Sequence, residues 1–355
     1  MKTKLFLLLF LSSFFVFGQE TITDRLPLAK KIAQDFLKKQ QIPGMAIAVS
    51  HGGDLIWSEG FGWSDLEQKT AVDPAQTQFR LASISKSITA FGLAILVDQH
   101  RLDFDESIYT YLPDFPKKKH DFTLRQVGGH LAGIRHYKGN EFIMNKKMSI
   151  TEGLAIFKND PLKSVPGTKY LYSTYGWNLL SVVIQEVAKQ EFNQFMLEQI
   201  FNPLGMDHTR LDRSDQEMPQ RTKFYLKTNQ GKVVKGPEVS NEHKVAGGGF
   251  VGTAEDLIKF GQEVIHPEII STTSRNELVK QQFTADGGTG YYGIGFVVRK
   301  AFNGETKYAH SGGGVGASTL LLIYPERDLV IVLLSNLSSA SITTLGNALE
   351  RHFLN

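Results

Sequence analysis

Apolar positions recur at helical spacing over residues 24–41, where Leu28, Ile32, Phe36 and Leu37 share one face and Lys30, Lys31, Lys38 and Lys39 occupy the rest. That spacing predicts an amphipathic surface helix, stopped by Pro43-Gly44. Residues 45–50, the turn His51-Gly52-Gly53-Asp54 and residues 55–57 read as strand, turn and strand. Toward the other end, residues 292–298, 307–310, 318–324 and 329–335 read as strands, the last two joined by Pro325-Glu326-Arg327-Asp328. Residues 342–353 read as a closing helix. Thr253-Ala254-Glu255-Asp256 opens a capped helix to about residue 264, with Asp where a capping box usually has Glu or Gln. A different pattern holds at 88–97, Ile-Thr-Ala-Phe-Gly-Leu-Ala-Ile-Leu-Val, which is apolar all round and reads as a buried helix.

Strands at both ends with a helical middle imply an α+β fold. Neither terminal set of strands is large enough for a complete sheet, so the expectation is one antiparallel sheet built from both chain ends, flanked by helices. The expected division is a leader at 1–18, a sheet domain at 19–99 and 241–355, and a mainly helical insert at 100–240. Two sequential domains are the alternative.

Composition sharpens this picture in three ways. Basic Met1-Lys2-Thr3-Lys4, an apolar stretch from Leu5 to Phe17 and Gly18 before Gln19-Glu20 read as a cleaved secretory signal, too short to span a bilayer. The expected destination is therefore periplasmic or extracellular. The formal charge of +3 falls to +1 once Lys2 and Lys4 are removed, since no acid precedes Glu20. The one basic cluster, Lys117-Lys118-Lys119-His120, follows Pro113-Asp114-Phe115-Pro116 in a surface turn, so no nucleic-acid partner is expected. With no cysteine, disulfides and thiolate metal sites are excluded, and no metal or other cofactor is expected.

The buried helix opens with Ser83-Ile84-Ser85-Lys86, and Ser83 is the only serine in the chain with lysine three residues on. Side chains at i and i+3 share a helix face, so the amine can approach the hydroxyl and take its proton. Burial of an amine lowers its pKa and makes it a usable base. A nucleophile needs proton carriers and oxyanion donors, and two downstream segments offer them. Pro166-Gly167 through Tyr175-Gly176 places Tyr172 in a glycine-bounded turn, and Tyr308-Ala309-His310-Ser311-Gly312-Gly313-Gly314 ends a strand in a glycine run. Taken singly, Tyr172 reads equally as a core-edge aromatic and the glycines as a turn.

Together these residues resemble the active-site-serine penicillin-recognising enzymes, meaning serine β-lactamases, D,D-peptidases and related esterases, in their class C-like branch. Ser83-Ile84-Ser85-Lys86 matches the family's S-x-x-K, Tyr172-Ser173-Thr174 its Tyr-x-Asn element, and His310-Ser311-Gly312 its Lys/His-Thr/Ser-Gly element. The segments 42–46, 129–137 and Ala246-Gly247-Gly248 also look like the family, so the resemblance covers nearly the whole chain after residue 18. The 129–137 stretch is most similar to the mitochondrial serine β-lactamase-like proteins and their bacterial relatives. The resemblance implies that Ser83 is acylated, that Lys86 and Tyr172 manage its proton with Lys86 and a protonated His310 as cationic neighbours of the tyrosine, and that the Ser83 and Gly313 N–H groups bind the oxyanion. Thr174, His310, Ser311 and Gly312 would line the substrate site. Thr174 replaces the family's amide with a shorter hydroxyl, which counts against efficient β-lactam binding. His310 in place of Lys leads to an expected loss of activity in mild acid.

Other chemistries lack their residues. There is no Gly-x-Ser-x-Gly elbow, and His130 and His136 are six apart rather than the four of a zinc helix, so His130 is assigned to packing or capping. The expectation is an exported serine hydrolase forming an acyl-enzyme with a peptide, amide or ester, cell-wall-type peptides or small D-amino-acid amides leading. An esterase or transacylase, or a non-catalytic sensor of peptides or β-lactams, are the alternatives.

Overall fold

The structure is a computed structural model describing residues 21–288 and 290–355. The leader read over residues 1–18 lies outside the described residues. Seven strands form an antiparallel sheet in the order Thr70–Ala71, Asp54–Asp65, Gly44–His51, Leu329–Ser335, Ala317–Tyr324, Thr306–Gly314, Val297–Lys300. The two chain ends meet at its centre, where Met45 faces Ser335 and Val49 faces Ile331 in register. The α+β expectation of a sheet assembled from both ends is therefore met.

Period-two alternation decides which helices cover which face. Met45, Ile47 and Val49, with Leu320, Leu322, Ile331 and Leu333, pack under the helices Leu26–Gln40 and Ile342–Leu354. Ala46, Ala48, Leu321, Ile323, Val330 and Val332 point the other way, toward Ile84–Asp98, Thr174–Ala188 and Ala254–Ile265. Both faces are covered, which is why the central strands read as unbroken apolar runs. Small Ala46 and Ala48 suit a close approach, and Gly261 of the Ala254–Ile265 helix sits so near the sheet that a Cβ there would lie 2.5 Å from Val330 Cγ1. Between residues 100 and 240 the elements are mostly short helices, with strands only at Arg210–Leu211, Tyr225–Lys227 and Val233–Lys235.

Three strand boundaries depart from the sequence reading. The second strand continues to Asp65 because its last residues pair with Thr70–Ala71. The strand expected at 292–298 is confined to Val297–Lys300. Upstream, Gly295 takes φ +80°, and its carbonyl accepts a 2.6 Å hydrogen bond from the Ser87 hydroxyl, so this segment is bent onto the buried helix instead of extending the sheet. Finally, the strand read at 307–310 runs from Thr306 to Gly314, so the glycines at 312–314 are its last residues. They stay paired to that end, with Gly312 opposite Thr319 and Gly314 opposite Ala317.

Candidate active site

Ser83 is the N-cap of the helix Ile84–Asp98, whose residues Ile84 to Leu96 are buried on every side. The residue before it, Ala82, adopts φ +49°, a left-handed conformation that costs a residue bearing a Cβ about 1–2 kcal/mol. Such strain is held by the surroundings. Leu81 N–H donates to Phe250 O at 2.9 Å, and Leu81 O accepts from Thr319 Oγ1 at 2.9 Å, fixing the approach to Ser83 from two sides.

One turn into the helix, Lys86 is fully buried and its Nζ lies 3.0 Å from Ser83 Oγ. It also reaches Thr174 Oγ1 at 3.3 Å and donates to the carbonyl of Gly247. No carboxylate forms an ion pair with it among the described residues, and burial drives its pKa well below the ordinary amine value. A neutral amine has two N–H donors and one lone pair. The two hydrogens match Thr174 and Gly247, and the lone pair is left for the Ser83 hydroxyl proton.

Tyr172 stands on the other side of Ser83 and hydrogen-bonds it; desolvation raises its pKa, the Ser83 bond lowers it, and the net displacement is upward. Lys86 Nζ is 4.9 Å from the centre of its ring. The phenol therefore holds its proton at rest. Two imidazoles fix the backbone that carries it: Ser173 N–H donates to His130 Nδ1 at 3.1 Å, and Thr174 N–H to His136 Nδ1 at 3.2 Å, so both histidines cap the start of the Thr174–Ala188 helix.

The strand Thr306–Gly314 supplies the third wall. Only Thr306 to Ala309 pair with Val297–Lys300, so the edge from His310 to Gly314 is unpaired on that side, and Gly313 lies open at it. Ser83 N–H has no backbone partner among the described residues, which leaves it available to an oxyanion. Gly312 is where the strand passes the nucleophile loop: a Cβ there would lie 2.2 Å from Thr319 Oγ1 and 2.5 Å from Leu81 O. Gly312→Ala is expected to cut turnover of any substrate by roughly tenfold or more and to lower the melting temperature, because rigid backbone and the Thr319 bond must both shift. A variant as active and stable as the parent would show that this close approach is not needed.

His310 is not the cation that the resemblance implied. It is 3% exposed, and its ring is held between Tyr292 Oη, 2.7 Å from Nε2, and Ser311 O, 2.7 Å from Nδ1. The carbonyl can only accept, so Nδ1 carries the proton and Nε2 accepts from the Tyr292 hydroxyl, whose own pKa burial raises well above the ordinary value. Burial first, and Lys86 second, hold His310 down to about 3. It therefore stays neutral from pH 5 to 8, and a fall in activity in mild acid cannot be charged to it.

Ser83, Tyr172, Thr174, Ser311 and Gly313 open onto one cavity of about 290 Å³, which His136, Tyr137 and Lys244 also line. Lys86, His310 and Gly312 stand behind its wall. Across this site, residues 29–351 match the family model described as Beta-lactamase. The chain belongs to the beta-lactamase family. It is 28% identical to the human protein named "Serine beta-lactamase-like protein LACTB, mitochondrial" over 87% of this chain and 76% of that one. Among solved structures it superposes on EstCE1, titled a hydrolase with promiscuous acyltransferase activity, with a TM-score of 0.82 at 17% identity over 94% and 99% of the two chains. The D-amino acid amidase of Ochrobactrum anthropi gives 0.81 at 19% identity, over 94% and 99%.

Sequence reasoning missed several residues of this cavity. His136 and Tyr137 lie in the 129–137 stretch that resembled the family, but nothing in their spacing announced that they face Ser83. Gly247, whose carbonyl holds Lys86, was visible only as a family-like Ala-Gly-Gly. Lys244, three residues earlier, carried no signal, and neither did the pairing of Arg80 with Asp212, 132 residues apart.

Proposed function

We propose that this protein is an exported serine hydrolase that forms an acyl-enzyme on Ser83 from a peptide, amide or ester. The observation that carries the reading is the buried Lys86 amine 3.0 Å from Ser83 Oγ, with no carboxylate among the described residues to keep it protonated. Lys86 takes the hydroxyl proton as Oγ bonds to the substrate carbonyl carbon. The carbonyl oxygen becomes an oxyanion held by the N–H groups of Ser83 and Gly313, each such donor being worth about 3 kcal/mol. Collapse of that intermediate breaks the bond to the leaving amine or alcohol, which receives a proton from the Tyr172 phenol. The Lys86 ammonium, whose Nζ lies 4.9 Å from the centre of the Tyr172 ring, returns the proton it took to the phenolate, and a water then repeats the sequence on the acyl-serine ester.

The solved-structure neighbours include a D-amino acid amidase and an acyl-transferring hydrolase, which supports small amides and esters as the substrates to try first. Export rests on the leader pattern of residues 1–18 and is tested by N-terminal sequencing of the mature protein. Among the described residues no helix is long and apolar enough to cross a membrane.

A fluorophosphonate probe is expected to label the protein at Ser83, and Ser83→Ala to lose both labelling and turnover of a chromogenic ester. Labelling of the parent without turnover of any ester, amide or D-alanyl peptide would favour a non-catalytic sensor.

A further inference from the structure

Lys244 lines the Ser83 cavity and is only 3% exposed. Its ammonium donates to Phe142 O at 3.0 Å, leaving two of three N–H donors unassigned, and it forms no ion pair among the described residues. The nearest acids are engaged elsewhere. Asp212 is held by Arg80, Arg221 and Asn241, and Glu242 by the backbone and hydroxyl of Ser214 and the hydroxyl of Ser240. The rings of Tyr137 and Phe142, with centroids 5.3 and 5.8 Å from Nζ, supply weak cation–π contact. A buried cation left this short of partners is costly unless something negative arrives to meet it.

We infer that Lys244 reads a carboxylate on the substrate, so that the cavity selects negatively charged acyl donors over neutral ones of the same shape. The inference deepens the reading of Ser83 as the nucleophile of this cavity and rests on it. Tyr137 connects the two places: its hydroxyl hydrogen-bonds Thr174, the residue that Lys86 also contacts, and its ring borders Lys244. Several groups face the Lys244 amine. Burial and the Arg80 guanidinium lower its pKa, Asp212 and Glu242 raise it, and the balance is about 8. His243 beside it is held down to about 4 by burial and by Lys244 itself, so it is neutral wherever Lys244 titrates. Selectivity for the charged substrate is therefore present below pH 8 and fades above it.

The test compares wild type, Lys244→Met and Lys244→Arg on two pairs of chromogenic esters. Adipoyl against hexanoyl 4-nitrophenyl esters place the carboxylate on the acyl side, and 3-carboxyphenyl against phenyl acetate place it on the leaving side. In one of the two pairs the wild-type ratio of kcat/KM, charged over neutral, is expected to exceed that of Lys244→Met by roughly 10–100-fold, mainly through KM. Lys244→Arg keeps part of that preference, and the wild-type ratio falls between pH 7 and 9. Ser83 labelling with turnover of the neutral esters, but no preference in either pair, overturns the inference and leaves the hydrolase reading standing. An equal loss on both members of each pair also overturns it, since Lys244 would then only seat Phe142. Absence of both labelling and turnover sinks the two readings together.

Discussion

Lys86→Met is expected to lower kcat/KM by about 10³-fold or more on every substrate the protein accepts, within the range that positioned acid–base catalysis contributes. Methionine keeps the length and fills the same buried space, but it presents no lone pair that can take the Ser83 proton. The parent's pH profile supplies the second readout. Since the competent form is the neutral amine, kcat/KM rises with pH through the depressed pKa of Lys86 and then levels off. His310, at about 3, contributes no step between pH 5 and 8. Stability carries the same sign. Between the folded pKa of Lys86 and the 10.5 of an exposed lysine, the unfolded chain binds more protons than the folded one, so on this group's account stability increases as pH rises across that window. A Lys86→Met enzyme within tenfold of the parent would remove the amine from the mechanism and leave Tyr172 as sole proton carrier.

The two faces of the sheet were legible in the chain because alternation and helix periodicity are local. Residues 45–50 and 329–335 gave themselves away by composition, and the closing helix by spacing. The nucleophile helix was legible for the opposite reason: a serine and a lysine intrude where everything else is apolar, and burial of the pair then supplies its chemistry. What the chain could not reveal locally was protonation. Whether His310 is a cation depends on Tyr292, 18 residues upstream, and on a carbonyl next to it that fixes the tautomer. The glycine run left its role open. Gly312-Gly313-Gly314 has the composition of a turn, yet a Cβ on Gly312 would meet Thr319 on the neighbouring strand and Leu81, which lies more than 200 residues away in the chain.

Asp212→Ala is expected to destabilise the fold by about 3–5 kcal/mol, the cost of stripping the partner from a buried cation. The carboxylate is 1% exposed and sits between two guanidiniums, with Arg80 Nε at 2.6 Å and Arg221 Nη1 at 2.5 Å, and it also accepts from Asn241 Nδ2 at 2.7 Å. Burial alone would raise its pKa; Arg80 and Arg221 outweigh that, and the net shift is downward. Its stabilisation is therefore present above the ordinary carboxylate value and is lost progressively as pH falls from there through the depressed folded pKa. Removal leaves Arg80, itself 3% exposed, with two carbonyls and the face of Phe224, whose centroid lies 3.5 Å from the guanidinium carbon. One of those carbonyls belongs to Val315, just past the strand edge that carries Gly313, and the other to Val239, which also lines the cavity. Arg80 thus ties two segments of the cavity lining together, and its own strand, Phe79–Arg80, leads directly into strained Ala82 and Ser83. Loss of Asp212 should accordingly impair turnover as well as folding, and Asp212→Asn, which keeps the shape and one acceptor, should fall between alanine and the parent. Urea unfolding checks the first expectation and ester turnover under native conditions the second. A loss below about 1 kcal/mol for Asp212→Ala would mean that water or a rearranged carboxylate replaces this ion pair at little cost.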